Sequence, residues 1–415
     1  MPTMTEARPS AASGVDWEAV RALFNLDPEY IHMGTAQYFA SHPRPVREAI
    51  ERHRDELDKN PALYILKNEV KFAEACRKAA AKYFGVEDHK RITLVDSTTV
   101  GLGIVYTGLN IQQGREILTS EHNYYSQQEA IKQLADRTGC AFREVKYYDD
   151  IHTVTADEMV SNIMSEVTDK TRVIGATWVH SSTGLKSPIG QLAREIAKVN
   201  ARRGEDDRIL LVVDGVHGFG IEKETFPELG CDFFCAGAHK WIYGPRGTGI
   251  VAGTEAGYRH VRPVIPSFSE TMYDIISGQS EASKVTDGTT MSPGGFHSME
   301  HLWAMPSGFE FSLSIGKEAI YDRVHGLARM LKEGLAEMDH VLLATPMDDE
   351  LSSGIVSFEI KGMSPKDAAQ ALIDKKVIST EAPYKKRYAR FTPGIYITES
   401  DVKKALDAVM SLKKS

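Results

Sequence analysis

Apolar residues in the first 260 positions fall in short continuous runs rather than in strict alternation. They are ITLV at 92–95, REILTS at 115–120, RVIGATWV at 172–179, RILLVVD at 208–214, FFCAGA at 233–238 and GIVAG at 249–253. Runs of this kind suit strands buried on both faces of a mostly parallel sheet. Between them lie amphipathic stretches with helix stop signals. They predict helices over 17–24, 45–59, 65–84 (closed by Gly85), 188–203 and 297–315, with others opening near 100 and after 122. Asn60-Pro61 breaks the first charged helix from the next. From about 318 the pattern changes to a helix (318–338), the short strand GIVSFEI, a helix (364–375), the segment VIST and a last helix (400–413). The expected architecture is α/β: a large domain with a mostly parallel sheet, and a small α+β C-terminal domain. The expected divisions are an N-terminal arm with a short helix (1–27), the large domain (28–317) and the small domain (318–415).

Composition narrows the classes. With 415 residues, 42% hydrophobic and 26% charged, the chain is an ordinary globular one with a large core. A net charge of −8 gives no basic footprint for nucleic acid or an anionic membrane, so neither is an expected partner. No run of 18 apolar residues is present, and the first fifteen residues lack an export pattern. The four cysteines form no dense framework, which favours a reducing, cytoplasmic setting. Cys231 and Cys235 are spaced i, i+4, but no partner pair has ligand spacing, so no metal is expected.

Candidate chemistry collects at the carboxyl ends of the apolar runs, where open α/β sheets bind ligands. Asp214 ends one run, and Lys240 follows another in the turn GAHKW, about 26 residues on by numbering. Most lysines are solvated. One delivered by a buried strand is desolvated, which favours the neutral amine that a Schiff base needs. A lysine for an aldehyde and an aspartate for a pyridine nitrogen together fit pyridoxal 5′-phosphate (PLP). Asp96-Ser97-Thr98-Thr99 precedes the glycine-punctuated helix start VGLG, a place for an anion or simply an N-cap.

VVDGVHGFG followed by FFCAGAHKWIYGPRGTGI resembles the class V aminotransferase superfamily of fold-type I PLP enzymes, over roughly 28–412, which implies a seven-stranded, mostly parallel sheet in the large domain. Within it the chain is most similar to the isopenicillin N epimerase-like branch, which is related to cysteine desulfurases, ergothioneine-pathway C–S lyases and the pyoverdine-maturation enzyme. The resemblance implies that Thr98, Thr99 and His239 hold the cofactor phosphate, and that His122 stacks on the ring, with Tyr124 or Tyr125 shaping the pocket. It implies that His217 meets the phenolic oxygen and that Arg390 grips a substrate α-carboxylate, with lesser expectations for Lys385, Lys386 and Arg387. Gly34, in the active-site segment 28–45, and Ser181, in the polar turn His180-Ser181-Ser182-Thr183, are expected to contact substrate. Gly288 and Thr289 are expected to reach a partner's phosphate, making a homodimer with sites at the interface. Many relatives carry a serine where this chain has Gly237, so one phosphate donor is missing or replaced.

Desulfurases of this kind place a nucleophilic cysteine shortly before the carboxylate arginine. No cysteine lies between Val377 and Arg390, so persulfide-forming chemistry is rejected. The expected activity is at Cα of an amino acid or small amino-acid-containing metabolite, epimerase- or C–S lyase-like. Transamination, an oxygen-using oxidation of the pyoverdine-maturation type, a sugar aminotransferase and a catalytically silent PLP-fold binding protein remain alternatives. The stretch 268–286 and the loop 380–389 are expected to decide the substrate.

Overall fold

The computed structural model describes residues 14–35, 38–279 and 286–413. The start of the N-terminal arm, positions 36–37 of the active-site segment, most of the end of the 268–286 stretch and the last two residues lie outside these.

Seven strands build the main sheet: β1 (Ile92–Val95), β2 (Glu116–Ser120), β3 (Ala141–Val145), β4 (Thr171–Thr177), β5 (Leu210–Asp214), β6 (Phe233–Gly237) and β7 (Gly249–Gly253). Their order is β1-β7-β6-β5-β4-β2-β3. The neighbours from β6 to β3 are all parallel, and β7 runs antiparallel to both β6 and β1. Every residue of β4, β5 and β6 is buried, which is why these segments read as continuous apolar runs. The Tyr83, Phe84, Phe219, Phe234 and Phe309 rings pack together against one face.

A second sheet lies in the C-terminal part: β8 (Val341–Leu343), β9 (Val356–Ile360), β10 (Thr380–Glu381) and β11 (Ala389–Phe391), in the antiparallel order β10-β11-β9-β8. The chain around 31–35 joins it: Ile31 bridges Val377, and Gly34 bridges Thr392. The helix expected from residue 65 starts earlier, at Pro61–Phe84, because Pro61 occupies its first turn, where a missing N–H costs nothing. A helix at Glu270–Ile276, in the stretch read as patternless, is capped by Ser269, whose hydroxyl accepts from the Met272 N–H. Among the described residues no helix is long and apolar enough to cross a membrane, and no group of His, Cys, Asp or Glu is arranged to hold a metal.

Candidate active site

Asp214 is the last residue of β5, and β6 beside it ends three residues before Lys240. Parallel neighbours place both ends on one edge. β4 ends at Thr177 and leads to Ser181, and β1 leads through Ser97 into the helix Thr98–Gly108. These strand ends line a cavity of about 750 Å³. It brings together Thr98, Thr99, Ser181, Asp214, His217, His239, Lys240 and Arg390 of the expected residues.

The electrostatics follow from burial. Lys240 Nζ lies 3.2 Å from His217 Nε2. Burial, helped by the positive charge of Arg390, brings the Lys240 ammonium down to about 8, with Asp214 opposing. Burial also holds His217 well below its usual range, and the charge of Lys240 acts in the same direction. Asp214 is pushed up to about 6 by burial, against the Val216 N–H that donates to its Oδ1 at 3.2 Å and the attraction of Lys240. Arg390 is 2% exposed and brought down to about 10 by burial. Its Nη1 donates to the Ser181 carbonyl at 2.5 Å and its Nε to Thr380 Oγ1 at 3.2 Å. Among the described residues no carboxylate forms an ion pair with it. A buried guanidinium without a counter-anion, facing a cavity, is a place for an external carboxylate.

The residues present fit PLP. Thr98 Oγ1 is buried without a hydrogen-bond partner at the first turn of its helix, where backbone N–H groups and the helix dipole favour a phosphate. His217 Nδ1 is likewise buried without a partner. Asp214 faces the cavity as a carboxylate that a protonated ring nitrogen would satisfy. His239 Nδ1 is 3.0 Å from the Thr248 carbonyl, which fixes its ring.

Three expected residues stand elsewhere. His122 does not line the cavity. One face of its ring stacks on Tyr148, with centroids 4.4 Å apart and planes 15° from parallel. Tyr124 and Tyr125, one turn further on, line the cavity instead. Gly34 is also absent from the lining. It packs against its neighbours, and a Cβ there would meet Ile378 Cγ2 at 3.2 Å and Thr380 Cγ2 at 3.3 Å. Thr289 donates to Asp287 Oδ1 at 2.6 Å and lines a separate groove of about 390 Å³, together with Val70, Phe268 and Trp303. Of the basic run, Arg387 lines the cavity and pairs with Glu381 at 3.0 Å, while Lys386 pairs with Glu359.

Sequence reasoning missed Tyr384 and Tyr38, both in the lining. The Tyr384 hydroxyl is 2.7 Å from Ser181 Oγ, and its ring lies 5.7 Å from that of Tyr124. Its only sequence signal was its place in the loop just before Arg390.

The profile of the family described as Aminotransferase class-V matches residues 40–382. The isopenicillin N epimerase of Streptomyces clavuligerus is 25% identical over 412 residues, covering 96% of this chain and 98% of its own. A probable cysteine desulfurase of Halalkalibacterium halodurans is 24% identical and covers 72% of this chain and 69% of its own. Among solved structures, the cysteine desulfurase of Thermococcus onnurineus superposes with a TM-score of 0.80 at 20% identity, over 95% of this chain and 97% of that one, a likeness of fold.

Proposed function

Since the chain belongs to the class V aminotransferase family, we propose that this PLP-dependent enzyme acts at Cα of an α-amino acid or a small metabolite containing one, moving the Cα proton in an epimerase-like reaction. The cofactor, when bound, supplies an electron sink for the pair left by the broken Cα–H bond. The remaining work is done by the chain. Arg390 binds the α-carboxylate and fixes Cα between itself and Lys240. Asp214 keeps the ring nitrogen protonated, and Thr98, Thr99 and His239 hold the phosphate. The Lys240 amine, with its basicity lowered by burial, takes the Cα proton. His217, 3.2 Å away, orients that amine.

The observation that carries this reading is the buried Arg390 without a counter-anion in one cavity with a desolvated lysine. The cavity lining also lacks a thiol, since all four cysteines are buried elsewhere. That supports the reading against a cysteine-nucleophile desulfurase, despite relatives of that name. The epimerase relative is matched over nearly its whole length, which agrees. A C–S lyase shares the first step. Where Cβ bears a leaving group, loss of the Cα proton is followed by its departure, and no further residue is required.

The test incubates PLP-loaded protein in deuterated water with amino acids and small peptides, sulfur-containing ones included. Mass spectrometry and chiral chromatography follow deuterium and configuration. Intact product deuterated at Cα with inverted configuration is expected. Ammonia with a keto product would replace the epimerase reading by a lyase one, or by an oxidase one if the product no longer forms without oxygen. Arg390→Ala should lower kcat/KM for the responsive substrate about 30-fold or more, the usual cost of removing one partner of a buried charge pair. No effect would favour a substrate without an α-carboxylate, such as an amino sugar.

We also propose a homodimer. Thr289 lies in its own groove with the half-exposed apolar Val70 and Phe268, a surface suited to a second protomer. Light scattering that gives a monomer able to bind PLP fully would contradict this.

A further inference from the structure

Inversion at Cα needs proton transfer on two faces, and one lysine serves only one of them. The cavity is bracketed by proton-handling groups from opposite sides of β5. Lys240 and His217 follow β6 and β5, whereas Ser181 and Tyr124 follow β4 and β2, on the other side in the strand order. Tyr384 comes from the small domain and enters on that second side, hydrogen-bonded to Ser181 Oγ at 2.7 Å and packed against Tyr124. The Ser181 carbonyl accepts from Arg390 at 2.5 Å, so one residue ties the phenol to the carboxylate holder. A carboxylate held by Arg390 would bring Cα into the cavity that Lys240 and this phenol both line.

We infer that Tyr384 is the second proton-transfer residue, delivering a proton to Cα on the face opposite Lys240. The assignment rests on the epimerase reading above. The balance is simple. The Cα–H bond breaks, the proton goes to the Lys240 amine, and the electron pair passes to the cofactor. The Tyr384 O–H bond then breaks, a C–H bond forms on the other face, and the pair returns to Cα. Water reprotonates the phenolate and takes the proton from Lys240. No oxidant or reductant is consumed.

The hydroxyl partners favour Tyr384 over Tyr124. Its hydroxyl has a fixed partner in Ser181, whereas that of Tyr124 pairs with the Tyr125 side chain. Burial raises the Tyr384 phenol above the usual range and the charge of Asp214 adds to this, while the Ser181 hydrogen bond and the charge of Arg390 oppose it. A phenol kept protonated at neutral pH, with an arginine near to steady the transient phenolate, is a donor rather than a standing base. Tyr384 sits on a loop bordered by exposed Pro383 and Lys385.

The test uses the PLP-loaded Tyr384→Phe and Ser181→Ala proteins in deuterated water, with the amino acid that the wild type inverts. Three quantities are read separately: the change in cofactor absorbance on adding the amino acid, deuterium at Cα, and configuration. In Tyr384→Phe the absorbance change and Lys240-side exchange should persist. Inversion should fall about 100-fold or more, as expected for loss of a general acid. Product would then be deuterated with retained configuration. Ser181→Ala should slow inversion several-fold and leave exchange intact, which keeps the assignment testable if the phenylalanine variant misfolds. Exchange and inversion falling together, or inversion unchanged, would overturn the role of Tyr384 while leaving the epimerase reading standing. A wild type that exchanges or consumes every substrate without inverting any overturns both.

Discussion

At the scale of single residues, the site works through desolvation. Lys240 departs from its ordinary 10.5 to about 8 because the fold buries it, and the like charge of Arg390 adds to the effect. In apoprotein the neutral fraction should therefore grow about tenfold between pH 7 and pH 9. The rate of covalent PLP capture, read from absorbance and from borohydride-trapped mass, should follow it, and a flat profile would contradict the shift. Between about 8 and 10.5 the unfolded chain holds a proton that the native amine has shed. This group thus makes the apoprotein more stable as pH rises through that window, the reverse of a lysine with a salt-bridge partner. Gly237 shows another effect of close packing. A Cβ there would stand 2.5 Å from the His239 ring, so a serine at 237 requires a different histidine rotamer. The glycine lets His239 fold back onto the Thr248 carbonyl.

At the scale of elements, we propose the helix Thr98–Gly108 as the phosphate cradle. Ser97 caps it through the Val100 N–H at 3.2 Å, leaving Thr98 Oγ1 buried and unpaired. Thr98→Val removes a hydroxyl with no present partner. It should leave apoprotein stability unchanged or slightly higher while weakening PLP binding about tenfold, the worth of a hydrogen bond to a charged group. A fluorescence titration measures the affinity, and an unchanged Kd would place the phosphate elsewhere. The strand ends carrying Asp214 and Lys240 were legible because β5 and β6 are buried on both faces and end in polar turns. The turn after β2 was not. There His122 stacks on Tyr148, while Tyr124, two positions on, lines the cavity. Sequence spacing does not fix which side chain of a turn faces inward.

At the scale of the molecule, a buried charge cluster joins the large and small parts. Glu222 accepts from Lys186 Nζ at 3.0 Å, from His325 Nε2 at 2.9 Å and from the Ser353 hydroxyl at 2.5 Å. His325 lies on the helix Lys317–Ala336, and Ser353 precedes β9, while Lys186 and Glu222 belong to the large sheet's connections. Glu222→Ala removes the shared acceptor of three buried groups, of which Lys186 keeps Glu224 at 3.4 Å, and should cost about 3–5 kcal/mol. Urea denaturation measures it, and a loss below about 1 kcal/mol would mean that water replaces the carboxylate. The same joint holds β11 and the loop before it over the cavity, which is how Arg390 and Tyr384 arrive at a site built mainly from the other sheet.

The sequence by itself determined the sheet and the strand ends that set Asp214, His217 and Lys240 at one cavity. Buried parallel strands must be apolar throughout, and their ends are where polar residues are free to serve a ligand. It also determined that no thiol stands in the loop before Arg390. Only the tertiary structure decided which aromatic side chains face the cavity. It also left Arg390 without a counter-anion and brought Tyr384 to Ser181, 203 positions apart in the chain. Contacts between residues so distant are set by how two domains pack against each other. That packing rests on complementary shape and buried charge spread over many positions, and no local pattern in the chain records it.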